Sequence, residues 1–155
     1  MKKIITFLFI SALIISLGLI QIFPFSFFGN IKPNFILIIL TLSLSFGVGF
    51  SEYLIFILLS LIILQWEPVF SKELFIFSAF MLLSFFLKDY YSFKKISSFS
   101  LFIIFSTSFL YFLLNPLFLI SNPLTIFIET LANLFFGILI FILSRLFLKE
   151  YLNVF

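Results

Sequence analysis

The chain has 155 residues, 64% of them hydrophobic and 10% charged, with a formal net charge of +3. Water-soluble domains run near half apolar and a quarter charged, and a chain this short leaves too much surface exposed to hide the excess from water. Lipid removes that conflict, and nucleic acid is not implied by the positive charge, since no basic run exceeds two residues and the basic residues flank apolar segments.

Met1-Lys2-Lys3 opens the chain, and an apolar run follows over 4–23. The run is long for a signal-peptide core and lacks a small-x-small cleavage site near its end, so it reads as a retained first helix. Pro24 to Lys32 holds Pro, Gly and Asn as breakers and reads as a turn. Pro33 can open a second helix, because its missing N–H would be unpaired there anyway. That helix is expected over 33–46, and Gly47-Val48-Gly49 breaks it. Ser51-Glu52 can cap a third helix over 52–66. A short polar loop with Glu67, Pro68 and Glu73 leads to a fourth over 74–87. Helices two to four are short for a hydrocarbon layer that asks for roughly 20 residues, so their ends extend into loops or they tilt or re-enter.

Lys88 to Lys95 is the most charged loop in the chain. A fifth helix is expected over 96–114. Asn115 to Pro123 is uncharged with two Asn-Pro steps, each disfavouring continued helix. The sixth helix is expected over 124–148. The expected fold is thus all-α, a polytopic membrane helical bundle of about six transmembrane helices forming one domain over 1–155.

Orientation follows from Lys and Arg. With the N-terminus inside, Lys2, Lys3, Lys88, Lys94, Lys95, Arg145 and Lys149 are cytoplasmic, and Lys32 and Lys72 external. This bias places both termini in the cytoplasm. No sequence repeat relates the two halves, so an inverted-repeat transporter gains no support.

The residues that could carry chemistry are few. There is no Cys and no His, which removes thiolate chemistry and the commonest metal ligand and general base. The one Asp, Asp89, sits beside Lys88 in a loop, and no Gly-rich phosphate loop occurs. The chain therefore reads as non-catalytic, with no cofactor or metal. Its 29 Phe, alongside abundant Ile, Leu and Lys and scarce Ala, read as drift toward A+T-rich codons rather than an aromatic-lined site.

Polar groups inside the bilayer are more informative, because a charge at a helix centre costs about 2.5–3.5 kcal/mol on insertion scales. Glu129 lies about one turn into the sixth helix, shallow enough to snorkel toward the outer interface. Asn133 and Gly137 follow at four-residue spacing on the same face, with Ser144 near that stripe. Small residues let helix backbones approach in lipid, and amides bond across. The stripe fits packing within this bundle or contact with a separate membrane partner. A proton path has less support, since no second intramembrane acid accompanies Glu129. Weaker stripes are Asn34, Thr41, Ser45 and Gly49 in the second helix, and Ser100, Thr107 and Tyr111 in the fifth. Ala12 and Ser16 form a small-xxx-small pair in the first helix.

Two stretches resemble a known family. Lys32-Pro33-Asn34 followed by Phe35 to Leu40 is similar to the opening of the second hydrophobic segment of MreD, where a Pro and an Asp or Asn precede a Leu-rich run. Glu129 to Phe136, with Asn133 and the closing Arg145, resembles that family's last helix. Departures are the Gly47-Val48-Gly49 run, where the family often has basic residues, and a third segment without the usual Gly and Asp. The resemblance implies a multi-pass inner-membrane (plasma-membrane) subunit of the cell-shape and peptidoglycan elongation machinery. Such a subunit binds the bitopic protein MreC and is linked through it to cytoplasmic MreB filaments. Pro33, Asn34, Glu129, Asn133 and Gly137 are then the candidate packing or partner contacts. The alternative is a substrate-binding subunit of an energy-coupling-factor vitamin transporter, which also has six helices; Ala12 and Ser16 would then dock a scaffold subunit.

Overall fold

In the computed structural model, residues 2–22, 32–65, 71–90 and 93–152 are described. They form seven helices and no strand: α1 Lys2–Ile22, α2 Phe35–Ser45, α3 Phe50–Leu64, α4 Lys72–Leu87, α5 Ile96–Leu114, α6 Pro116–Ser121 and α7 Pro123–Leu152. Most of the turn expected over 24–32, and Trp66, Glu67 and Pro68, lie outside the described residues.

Three stretches are long and apolar enough to cross a membrane: Lys3–Ile22, Ile96–Leu114 and Pro123–Leu148. α2 and α3 are apolar but shorter, about 17 Å and 22 Å at 1.5 Å per residue. The polarity of the molecule runs opposite to that of a water-soluble protein. Large apolar side chains such as Leu8, Ile62, Phe75, Leu101 and Phe135 stand exposed around it, whereas Thr41, Ser43, Ser60, Ser84, Thr107 and Asn133 are buried. An apolar exterior of this extent suits lipid, where exposed backbone must be satisfied within helices.

α2 is the axis of the bundle. Every one of its residues is buried, and it packs against α1, α3, α5 and α7. α3, α4 and α5 follow one another around it, and α5 packs on α7. Phe9 of α1 stacks on Phe147 of α7 at 4.9 Å between ring centroids, joining the first and last helices. Because α2 meets protein on all sides, its 11 residues need not match the hydrocarbon thickness.

The breaks between helices have local causes. α2 ends where Gly47 takes φ +66°, the left-handed conformation that glycine adopts at no steric cost. α3 begins at Gly49, whose N–H donates to Glu52 Oε2 at 2.8 Å. Glu52 is thus the capping group as expected, but Ser51 lies inside the helix. The uncharged stretch over 115–123 is not a plain loop, because α6 occupies it. An Asn-Pro step bars the Asn from helical geometry, not the Pro. Asn115 accordingly takes φ −153° and accepts the Phe118 N–H at 3.0 Å, and Pro116 starts the turn.

Tyr53 of α3 is fully buried against Phe85, and its hydroxyl has no hydrogen-bond partner among the described residues. Removing a buried unsatisfied polar group is neutral or favourable. Tyr53→Phe is expected to leave the melting temperature in detergent unchanged or raised. A clear fall in that temperature would mean that the hydroxyl is bonded.

Candidate functional site

Asn34 caps α2, its Oδ1 accepting the Leu37 N–H at 3.0 Å. The backbone N–H of Asn34 donates to Oδ1 of Asn133, on α7, at 2.6 Å. Asn133 is fully buried, and its Nδ2 donates to Thr107 Oγ1 of α5 at 3.1 Å. The Thr107 hydroxyl in turn donates to the Ile103 carbonyl at 2.9 Å. One amide therefore ties the N-terminus of α2 to both α5 and α7. Gln21, at the end of α1, adds a fourth helix: its Oε1 accepts the Ile36 N–H at 3.1 Å.

These bonds answer a definite need. The first N–H groups of any helix lack an intrahelical partner, and leaving one buried and unmet costs about 1–3 kcal/mol. At α2 the Asn34, Ile36 and Leu37 donors go to Asn133, Gln21 and Asn34, and the Phe35 N–H reaches the Pro33 carbonyl at 3.1 Å. Pro33 itself brings no donor to this crowded end. Of the five candidate residues, Pro33, Asn34 and Asn133 thus meet at one point.

Gly137 lies one turn further along α7, where the helix presses on α5. A Cβ at this position would lie 2.5 Å from Ile103 Cδ1, 3.5 Å from Phe99 and 3.8 Å from Ile38 of α2. Phe99 and Phe141 then pack at 4.7 Å between centroids, and Ser144 is buried beyond them. Asn133 and Gly137 both make contacts within this bundle. Gly18 is a second close approach, with a Cβ position 2.9 Å from Ile36 and 3.0 Å from Ile63.

Glu129 does not run alone to the interface. It is half-buried and accepts a hydrogen bond from the Tyr111 hydroxyl of α5. Glu129, Tyr111, Thr107, Asn133 and Asn34, with Leu37, Phe77, Leu110 and Leu114, line a cavity of about 170 Å³. It offers one carboxyl, one phenol, one threonine hydroxyl and two amides to a few waters or a very small polar ligand. Ligand pockets for larger molecules run about 300–1,000 Å³.

The remaining polar stripes behave differently. Thr41 and Ser45 return their hydroxyls to the Leu37 and Leu42 carbonyls, as such residues do inside helices. Ala12 and Ser16 face outward, with Ser16 Oγ on the Ala12 carbonyl at 2.8 Å. Gln21 and Gly18 also belong to the site; they lie three residues apart on one face of α1, a short polar and small pair in an otherwise apolar helix end.

No protein-family model matches the chain, and neither a curated protein nor a solved structure matches it.

Proposed function

We propose that the chain is a six-span plasma-membrane protein with both termini in the cytoplasm. In this reading it is a non-catalytic scaffold subunit of the MreD kind, binding an MreC-like bitopic protein and connecting through it to MreB-like filaments. The observation that carries the reading is the bond from the Asn34 N–H to Asn133 Oδ1. The two stretches that resemble MreD lie 99 residues apart in the chain, yet they meet as one structural unit. Residues that serve to lock a bundle suit a scaffold, whose role is to hold a shape for its partners.

The topology has support of its own. Gln21, Asn34, Tyr111 and Glu129 gather at the end that six spans would place outside. Lys88 reaches the Val48 carbonyl at 3.3 Å, and Arg145 reaches that of Lys94, at the opposite end. Reporter fusions after Lys95 and at the C-terminus are expected to read cytoplasmic, and one after Asn122 external. An external C-terminus would refute six spans.

Depletion in the native host is expected to change cell width or shape, and an MreC-like protein is expected to co-purify. The Glu129 cavity is small for a vitamin-sized ligand, and the larger cavity of about 370 Å³ at the start of α7 is lined almost wholly by apolar side chains, which suits a polar vitamin poorly. Normal shape together with lost vitamin uptake would transfer the assignment to the transporter subunit.

A further inference from the structure

A second polar feature lies at the far end of α7, where the bundle lock plays no part. Between the start of α5 and the end of α7 runs a groove of about 700 Å³, lined by Lys94, Lys95, Ser97, Phe141, Arg145 and Leu146 among others. Its three charged lining residues are all basic and none is acidic. Lys94 and Lys95 are exposed, whereas Arg145 is held in place. The Arg145 guanidinium donates to the Lys94 carbonyl and lies 4.4 Å from the Phe141 ring centroid. Below this basic rim the walls turn apolar, through Phe141, Ile142 and Leu146.

We infer that this groove binds an anionic phospholipid, the phosphate headgroup on Lys94, Lys95 and Arg145 and an acyl chain along Ile142 and Leu146. Charge complementarity selects the headgroup, because two cations from the turn before α5 and one from α7 line the groove with no carboxylate among the described lining residues. The apolar lower wall selects a lipid over a free anion, since a dissolved phosphate has nothing to place there. The level also fits. The groove opens where α5, long and apolar enough to span, begins, so its rim stands at headgroup depth. Basic pockets between spanning helices on the cytoplasmic side recognise anionic headgroups in this way, and a guanidinium fixed before binding presents its donors to phosphate at little further ordering cost. The inference rests on membrane insertion with this end cytoplasmic, and is independent of any protein partner.

The test uses the purified full chain in neutral detergent, with native mass spectrometry reading retained lipid. Probes are phosphatidylglycerol, phosphatidylcholine and inorganic phosphate. Phosphatidylglycerol is expected to remain bound and the other two to be lost. Each basic residue near an anionic surface is worth roughly fivefold in binding, so Lys94→Gln/Lys95→Gln should weaken retention roughly twenty-five-fold. These two side chains are exposed, so the variant is expected to melt as the wild type does. Arg145→Gln should weaken retention too, and Arg145→Lys should restore part of it. Lys72→Gln, at the opposite end of the bundle, should change nothing. Equal retention of phosphatidylcholine, or of phosphatidylglycerol by the double variant, would overturn the site. Binding of inorganic phosphate with equal strength would overturn the lipid as its occupant. Loss of lipid selectivity with normal cell-shape function would leave the scaffold reading standing, and the converse result would separate the two the other way.

Discussion

Gly137→Leu should be strongly damaging, lowering stability in detergent by about 3 kcal/mol, the upper part of the usual range for overpacking. The first atom of the new side chain would already lie 2.5 Å from Ile103 Cδ1, and Ile103 is itself fully buried. The remaining atoms would push α7 away from α5 and from Ile38 of α2. Gly137→Ala should cost far less, because the atom it meets is the movable end of one side chain. Ile103→Ala should recover part of the loss in the Gly137→Leu background, since it removes the atoms that clash. Leu134→Ile, a volume-conserving change, should cost under about 1.5 kcal/mol. Unfolding midpoints of the purified variants measure all four. A Gly137→Leu protein as stable as the wild type would mean that α7 does not approach α5 here.

Asn133→Leu should come second, at about 2 kcal/mol. Interhelical hydrogen bonds in membranes average about 0.6 kcal/mol and reach about 1.7. The upper end of that range applies because this change also strands the Asn34 N–H, a part-buried donor that Leu cannot meet. Thr107→Val removes the acceptor of the second bond and the Thr107 bond to its own helix carbonyl, and should cost about 1 kcal/mol on the same scale. The double variant should cost less than the sum of the two, since both changes break one shared contact. Glu129→Gln should be milder than Glu129→Leu, because the amide can still accept from the Tyr111 hydroxyl. Pull-down of an MreC-like protein should be read beside stability. Retained stability with lost pull-down would make the stripe a partner surface instead of a bundle lock.

Helix positions were legible where charge or breakers mark them. α5 lies between Lys94-Lys95 and an Asn-Pro step, and occupies the residues expected of it. α6 was illegible because an Asn-Pro step reads as a helix break, whereas the steric effect of Pro falls on the residue before it and leaves Pro free to start a new turn. The central place of α2 was illegible for a deeper reason. In water, burial shows as a contrast between polar and apolar faces. In lipid that contrast disappears, since acyl chains are as apolar as Leu, and α2 reads like any spanning segment although all its residues are buried. Asn133 and Gly137 were legible as a stripe because few polar or small residues interrupt α7. Nothing in their spacing indicated that Asn133 would meet a backbone donor near residue 34, nor that Gln21 would serve the same helix end.

The Asn34–Asn133 bond also bears on how the protein is made. Chains emerge N-terminal end first and fold as they emerge. α2 is therefore made with Gln21 already at hand but with Asn133 still 99 residues from synthesis. Until α5 and α7 follow, only α1 and α3 can flank it, and the Asn34 donor has no amide to meet. Docking of the α5–α7 pair is then the closing step, covering the open side of α2 and satisfying that donor together. Contacts so distant in sequence form slowly, so the half-built protein has time to be found by cellular proteases. Lesions at Asn133 or Gly137 should accordingly reduce the amount of finished protein in the cell, beyond what their effect on the completed molecule would suggest.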